Sequence, residues 1–178
     1  MLFEKYKKYG DYHWRQYAKG TKYKKHADRI KVWVKESNIL DIGAGDGLIT
    51  SLIGAKGVDN EMSGVKIAQE KGVDVVFGDA YNLDFKDESF DAVTMIDVLE
   101  HFEFPEKALA EAHRVCKLYT YISTPPKRDD GKLTDKYHYI EWTPEGLNEL
   151  MKSNGFEMIG TVLSIKEEKV MYGKFKKV

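Results

Sequence analysis

Residues 38–61, Asn38-Ile-Leu-Asp-Ile-Gly-Ala-Gly-Asp-Gly-Leu-Ile-Thr-Ser-Leu-Ile-Gly-Ala-Lys-Gly-Val-Asp-Asn-Glu61, hold two short apolar runs that each end in an aspartate, with a glycine-rich turn between them. Asn38–Ile42 predicts a buried strand, Gly47–Ile53 a short helix, and Ala55–Asp59 a second strand. Three glycines in five residues, Gly43, Gly45 and Gly47, let the backbone reverse sharply and approach a ligand closely. A strand that runs into a glycine turn and then a helix is the opening of a parallel α/β unit.

The alternation continues downstream. Ser63 can cap a helix that Gly72 ends. Val73–Gly78 reads as a third strand and Ala92–Asp97 as a fourth. Pro105 starts a helix with Ala108, Ala112 and Val115 on one face. Leu118–Ser123 is a fifth strand. Thr143 and Pro144 cap and open a helix carrying Leu147, Leu150 and Met151, which Gly155 ends. Phe156–Ser164 and Glu168–Lys176 predict two strands joined by a tight connection, an antiparallel hairpin. The fold class is therefore α/β, a doubly wound, mostly parallel seven-stranded sheet with a C-terminal antiparallel hairpin.

Upstream, residues 1–36 are lysine-rich and aromatic and contain no proline. They predict N-terminal helices broken near Gly10 and Gly20. This segment, 1–36, is expected to cap the body 37–178 and to help form a substrate site, within one compact domain. It carries 11 Lys/Arg against 4 Asp/Glu, and the remainder 17 against 25, although the whole chain is at −1. The basic segment is expected to attract an anionic or aromatic acceptor, or simply to be a solvated helix face. Tyr12, His13, Trp14 and Tyr17 either pack it onto the sheet or close over a ligand.

A length of 178 residues suits one domain with a real core. No apolar run approaches the roughly 18 residues that cross a membrane. The N-terminus shows no apolar signal core, which predicts a cytoplasmic protein with no membrane partner. The lone cysteine, Cys116, excludes an internal disulfide and a cysteine zinc site.

Ligands of parallel sheets bind outside the C-terminal ends of the strands. Four successive strands end in Asp41, Asp59, Asp79 and Asp97, spaced 18, 20 and 18 residues apart. One strand–helix unit separates each pair, so all four belong on one rim. The nicotinamide fingerprint G-x-G-x-x-G is not met, because position 48 is leucine where the third glycine would fall. An aspartate just before the turn also suits an ammonium better than a pyrophosphate. S-adenosylmethionine presents an α-ammonium, a carboxylate, a ribose and an adenine. Asp41 can meet the ammonium, and the amides of the turn, Ala44 among them, the carboxylate. Asp59 can accept from the ribose hydroxyls and Asp79 from the adenine amino group.

These motifs resemble the class I S-adenosylmethionine-dependent methyltransferases, in particular the small-molecule, quinone-biosynthesis-like branch (methyltransferase type 11). The resemblance covers residues 38–160 and rests on DIGAGDG at 41–47, GVDNE at 57–61, GDAYNLDFKDESFD at 78–91, DVLEH at 97–101 and EWTPEGLNELMKSNGF at 141–156. It implies a Rossmann-like fold and methyl transfer from S-adenosylmethionine, with S-adenosylhomocysteine as product. It places Asp41, Gly43 and Gly45 at the methionine moiety, Asp59 at the ribose and Asp79 with Ala80 at the adenine, while Asn60 and Asp97 border the pocket. Arg114-Val-Cys-Lys-Leu118 stands where the family has a glycine-containing turn.

The implied reaction is transfer to an oxygen, nitrogen or carbon of a small-molecule acceptor. A nucleic-acid methyltransferase is the rival, but Asp97-Val-Leu-Glu100 stands where its D/N-P-P-aromatic motif belongs, and Thr124-Pro-Pro126 follows the fifth strand instead. A non-catalytic S-adenosylmethionine-binding module is a further alternative, since fold alone does not prove activity. If a helix starts at Asp97, then Asp97, Glu100 and His101 share a face, and His138 lies in the loop after the fifth strand. This resembles an E-x-x-E-H pattern plus a later histidine that binds a divalent metal in some methyltransferases. Metal is not expected as the rule here; without it His138 is the candidate general base, and Asp97 is alternatively a helix cap.

Overall fold

The computed structural model describes residues 5–165 and 168–178. The N-terminal four residues of the basic segment, and residues 166–167 in the hairpin connection, lie outside the described residues. Helices α1 (Lys5–Tyr9), α2 (Tyr12–Ala18) and α3 (Lys22–Trp33) precede the sheet. The breaks fall at Gly10 (φ 61°) and Gly20 (φ 67°), a backbone region open to glycine and strained for other residues. Then come β1 (Ile39–Ile42), α4 (Leu48–Ile53), β2 (Lys56–Asp59), α5 (Met62–Glu70), β3 (Val75–Phe77) and β4 (Phe90–Ile96). After a single 3-10 turn, Leu99–His101, follow α6 (Pro105–Val115), β5 (Cys116–Thr124), α7 (Pro144–Ser153), β6 (Phe156–Met158), β7 (Leu163–Ile165) and β8 (Val170–Lys177).

The sheet order is β3-β2-β1-β4-β5-β8-β6, with β7 also paired to β8. The strands β3, β2, β1, β4 and β5 are parallel to one another, and β8 runs antiparallel to β5. The hairpin expectation needs one correction. The run 156–164 is not one strand: Gly160, at φ 80°, breaks it into β6 and β7, and both pair with β8. Among the described residues, eight strands thus fill seven positions. A second correction concerns β5, which begins at Cys116 directly from α6, because Arg114 ties the end of that helix to Glu111, Asp87 and the carbonyls of Leu83 and Phe85.

All four residues of β1 are buried, as a central parallel strand covered on both faces requires. One face packs Leu40, Val93, Met95 and Ile122 against Leu109 and Ala112 of α6 and Leu147 and Met151 of α7. The other packs Ile39, Ala92 and Tyr121 against Ala27 and Ile30 of α3 and Ile49 of α4. Helix α3 therefore belongs to the sheet's own core, and α1 and α2 lie beyond it. Proline at the first helical position opens α6 and α7, and Thr143 Oγ1 accepts from the Gly146 amide at the start of α7 (3.1 Å). Among the described residues, no helix is long and apolar enough to cross a membrane.

Candidate active site

The C-terminal ends of the parallel strands open into a cleft of about 1660 Å³. The four strand-end carboxylates Asp41, Asp59, Asp79 and Asp97 all line it, as do Gly43, Ala44, Asn60 and Ala80. The other walls come from α1 and α2 and from the 134–139 segment, which contributes His138.

The turn is rigid and self-held. The amides of Gly43 and Ala44 donate to the Val58 carbonyl (2.9 and 3.1 Å), Gly47 N to the Ala44 carbonyl (3.0 Å), and Gly45 N to Asp59 Oδ2 (2.8 Å). These four amides thus have partners inside the fold. Gly43 and Gly45 sit at φ 79° and 55°, and neither position has room for a side chain. A Cβ at Gly43 would lie 2.3 Å from a Val98 methyl, and one at Gly45 would lie 2.0 Å from the Tyr6 hydroxyl. Glycine is thus what lets Val98 and Tyr6 pack directly on the turn.

Asp41 is buried, with Oδ1 accepting from the Thr94 hydroxyl (2.7 Å) and Oδ2 from Thr50 (2.6 Å). Burial raises its pKa to about 6, against the two hydroxyls, which favour the charged form. Asp59 Oδ1 accepts the Glu61 amide (2.7 Å), so this carboxylate clamps the glycine turn to the start of α5; burial raises its pKa as well. Asp79 Oδ1 accepts the Tyr81 amide (2.9 Å). Tyr81 and Phe102 face each other in the same part of the cleft, with ring centroids 5.6 Å apart.

Asp97 departs from the expected helical face. It sits at φ 50°, its amide donates to the Ser123 carbonyl (2.9 Å), and its Oδ1 accepts from the Ser123 hydroxyl (2.6 Å). Instead of a helix there is the 3-10 turn, and Asp97 stands apart from a group of three, Glu100, His101 and His138. The ligand-type atoms of those three lie within 4.8 Å of one another. His101 Nδ1 pairs with the Tyr137 carbonyl (3.1 Å) and His138 Nδ1 with Glu141 Oε1 (2.7 Å). Each of those acceptors fixes a proton on Nδ1 and leaves a lone pair on Nε2. Glu100 is buried, and burial raises its pKa well above the ordinary carboxylate range, with Asp97 adding to it. Burial lowers that of His101.

Sequence reading missed the residues that fasten the N-terminal helices to this site. Asp46, inside the turn, accepts His13 N (2.9 Å) and pairs with His13 Nδ1 (3.1 Å), while its carbonyl accepts Trp14 Nε1 (2.7 Å). Glu61 Oε1 accepts the amides of Tyr6 (2.8 Å) and Lys7 (3.2 Å). Tyr6 is thereby buried against Gly45. Of the two roles open to the aromatic stripe, closure over the cleft describes His13, while Tyr17 packs beside α3. Lys5 Nζ lies 2.8 Å from His13 Nε2 in the same wall, and its pKa is lowered by burial.

The order β3-β2-β1-β4-β5 with a glycine turn after β1 and acids at the strand ends is the arrangement of the class I S-adenosylmethionine-dependent methyltransferases, and residues 40–122 match the family model described as "Methyltransferase domain". This part of the chain is a methyltransferase domain of that class. The chain is 28% identical to a demethylmenaquinone methyltransferase of Thermotoga maritima, over 78% of each chain. It is 36% identical to an uncharacterised protein of Methanocaldococcus jannaschii, over 53% of this chain and 47% of that one, so it spans about half the length of that relative. Its fold matches a Thermotoga maritima structure described as a "SAM-dependent methyltransferase, possible histamine N-methyltransferase", with a TM-score of 0.82, 22% identity, and coverage of 99% of this chain and 100% of that one.

Proposed function

We propose that the chain transfers the methyl group of S-adenosylmethionine to an oxygen, nitrogen or carbon of a small-molecule acceptor. The observation that carries this reading is the convergence of Asp41, Asp59, Asp79 and the self-held glycine turn on one cleft. Asp41 takes the α-ammonium, Asp59 and Asn60 the ribose, and Asp79 with Ala80 the adenine edge, beside the rings of Tyr81 and Phe102. The methionine carboxylate lies toward the glycine turn after β1. The bound cofactor supplies a sulfonium-activated methyl group. The chain's own residues align the acceptor, exclude water and receive its proton. The relatives' names point to a quinone precursor and an amine as acceptor classes to screen. A polyanion fits poorly, since the cleft is lined by more carboxylates than lysines. Tritiated-methyl release across phenol, amine and carboxylic acid acceptors tests the reading. Methylation of oligonucleotides alone would overturn it.

Asp41 gives this reading a pH signature. Between about pH 4 and pH 6 the folded chain keeps a proton on Asp41 that the unfolded chain has lost. Stability from this group is therefore complete below about pH 4, falls as pH rises through about 6, and is level above. An ammonium ligand prefers the ionised form. Affinity for S-adenosylmethionine is therefore expected to rise from about pH 5 to about pH 7, and calorimetry at pH 6 in two buffers of different ionisation enthalpy should show proton release. An affinity level across that range contradicts the ammonium assignment.

His138 can serve the acceptor in two ways. Alone, it takes the acceptor's proton. With Glu100 and His101 it fits a divalent cation, since two imidazoles fixed through Nδ1 and a buried carboxylate make a suitable donor set. A cation held there would polarise an acceptor oxygen. His138→Ala is expected to slow turnover by about 100-fold in either case, within the range for lost acid–base catalysis, while affinity for the cofactor persists. Chelation with Mg²⁺, Mn²⁺ or Zn²⁺ add-back restores activity only if the cation is used. Wild-type turnover in His138→Ala removes the residue from the mechanism.

A further inference from the structure

A buried polar chain runs from the cleft into the body beneath α3, and the methyl-transfer reading leaves it without a role. His26, on α3, is 4% exposed. Its Nδ1 lies 2.7 Å from the Tyr172 hydroxyl, and Tyr172 donates that hydroxyl's proton to Glu168 Oε2 (2.6 Å). Glu168 is paired with Arg29 (2.8 Å), which holds its carboxyl below the usual range, so it is ionised and can only accept. The direction of the chain is then fixed. Tyr172 has one proton and gives it to Glu168, so Nδ1 of His26 must donate to Tyr172.

The consequence falls on the other nitrogen. In the neutral ring Nε2 carries a lone pair. It is buried, has no hydrogen-bond partner among the described residues, and lies 3.3 Å from Asp97 Oδ2. Two lone pairs thus face each other with no proton between them. Asp97 is held there in a left-handed conformation that is costly for a non-glycine residue, its other oxygen fixed by Ser123. Its side chain is 35% exposed and lines the cleft. A proton delivered to Asp97 from the cleft would bridge to His26 and relieve the repulsion.

We propose that Asp97 is a second group, beside His138, that takes the proton of the methyl acceptor, and that His26 is a positioning residue that shares this proton through Asp97. The inference rests on the methyl-transfer reading and narrows the acceptor to one that loses a proton from N–H or O–H. In the step, the acceptor heteroatom forms a bond to the methyl carbon, the carbon–sulfur bond breaks, and its electron pair goes to sulfur as the neutral thioether. The acceptor's proton passes to Asp97 Oδ2 and is shared with Nε2 of His26. It leaves to solvent when the products leave. If a cation occupies the lone pair of His138, this pair is the remaining proton acceptor of the two. The titratable groups that face Asp97 are Lys5 of α1, His13 of α2, Tyr23 of α3 and Glu100 after β4, with Tyr172 behind.

Nitrogen NMR of the full chain with ¹⁵N-labelled histidine, saturated with S-adenosylhomocysteine, tests the pair without an acceptor. The proposal expects neutral His26 to carry its proton on Nδ1. Tyr172→Phe should move the neutral proton to Nε2, where it can bond Asp97. A wild-type His26 protonated on Nε2 overturns the proposal, because the pair is then an ordinary hydrogen bond with no place for a proton. Rates with histamine and 1-naphthol, as amine and phenol probes, supply the second readout. His26→Gln should lower kcat at neutral pH at least tenfold, with recovery toward high pH and S-adenosylhomocysteine affinity within threefold of wild type. Unchanged kcat in His26→Gln, with the loss confined to His138→Ala, also overturns it. If the wild-type chain methylates neither probe, the methyl-transfer reading fails for these acceptors, and the tautomer result alone decides the pair.

Discussion

Asp59→Ala weakens binding of S-adenosylmethionine by about 1.5–3 kcal/mol, on the order of 10- to 150-fold in Kd, as measured by calorimetry. The carboxylate is asked to do two things. It faces the cleft where a ribose would lie, and it clamps Gly45 N and Glu61 N (2.8 and 2.7 Å), which joins the glycine turn to α5. Loss of the side chain removes a charged hydrogen-bond acceptor from the ligand and frees two amides that the fold had paired. Asp59→Asn separates the two effects. It keeps one oxygen acceptor for the turn but loses the charge, so it should fall between wild type and alanine. Unchanged affinity in Asp59→Ala would remove this residue from the cofactor site.

Removal of residues 1–20 abolishes turnover, with affinity for the cofactor kept within about tenfold, a loss of no more than about 1.4 kcal/mol. The cut falls at Gly20, before α3, whose Ala27 and Ile30 are part of the sheet's core and stay in place. What goes is the wall that Asp46 and Glu61 hold over the cleft, with Tyr6, Lys5 and His13. The sheet rim, with Asp41, Asp59 and Asp79, remains for the cofactor. Without the wall, water reaches the methyl group and the acceptor loses one side of its site. Circular dichroism should show a folded chain. Full methyl transfer by the truncated protein would show that α1 and α2 are only packing.

The rim was legible because its signals are local. A strand, a glycine turn and a helix occupy consecutive residues, and the aspartate at each strand end recurs with each strand–helix unit. Gly10 and Gly20 announced their own breaks for the same reason. The N-terminal wall was not legible, since its fastenings join His13 to Asp46 and Tyr6 to Glu61 across 33 and 55 positions. No period in a sequence encodes such a pair. His26 sits among lysines on α3, and its partner Tyr172 comes from β8, 146 positions away. Asp97 misled in the opposite sense. Its spacing to Glu100 and His101 fits a helix, but Asp97 is held by Ser123 on the neighbouring strand and a 3-10 turn follows it.

Calorimetric titration of the full chain with S-adenosylhomocysteine, and in parallel with NAD⁺, shows whether the cleft is a methyl-donor site. That assignment gives one site per chain for S-adenosylhomocysteine, weakened in Asp59→Ala, and no heat of binding for NAD⁺. Binding of NAD⁺, or S-adenosylhomocysteine binding that Asp59→Ala leaves untouched, would contradict it.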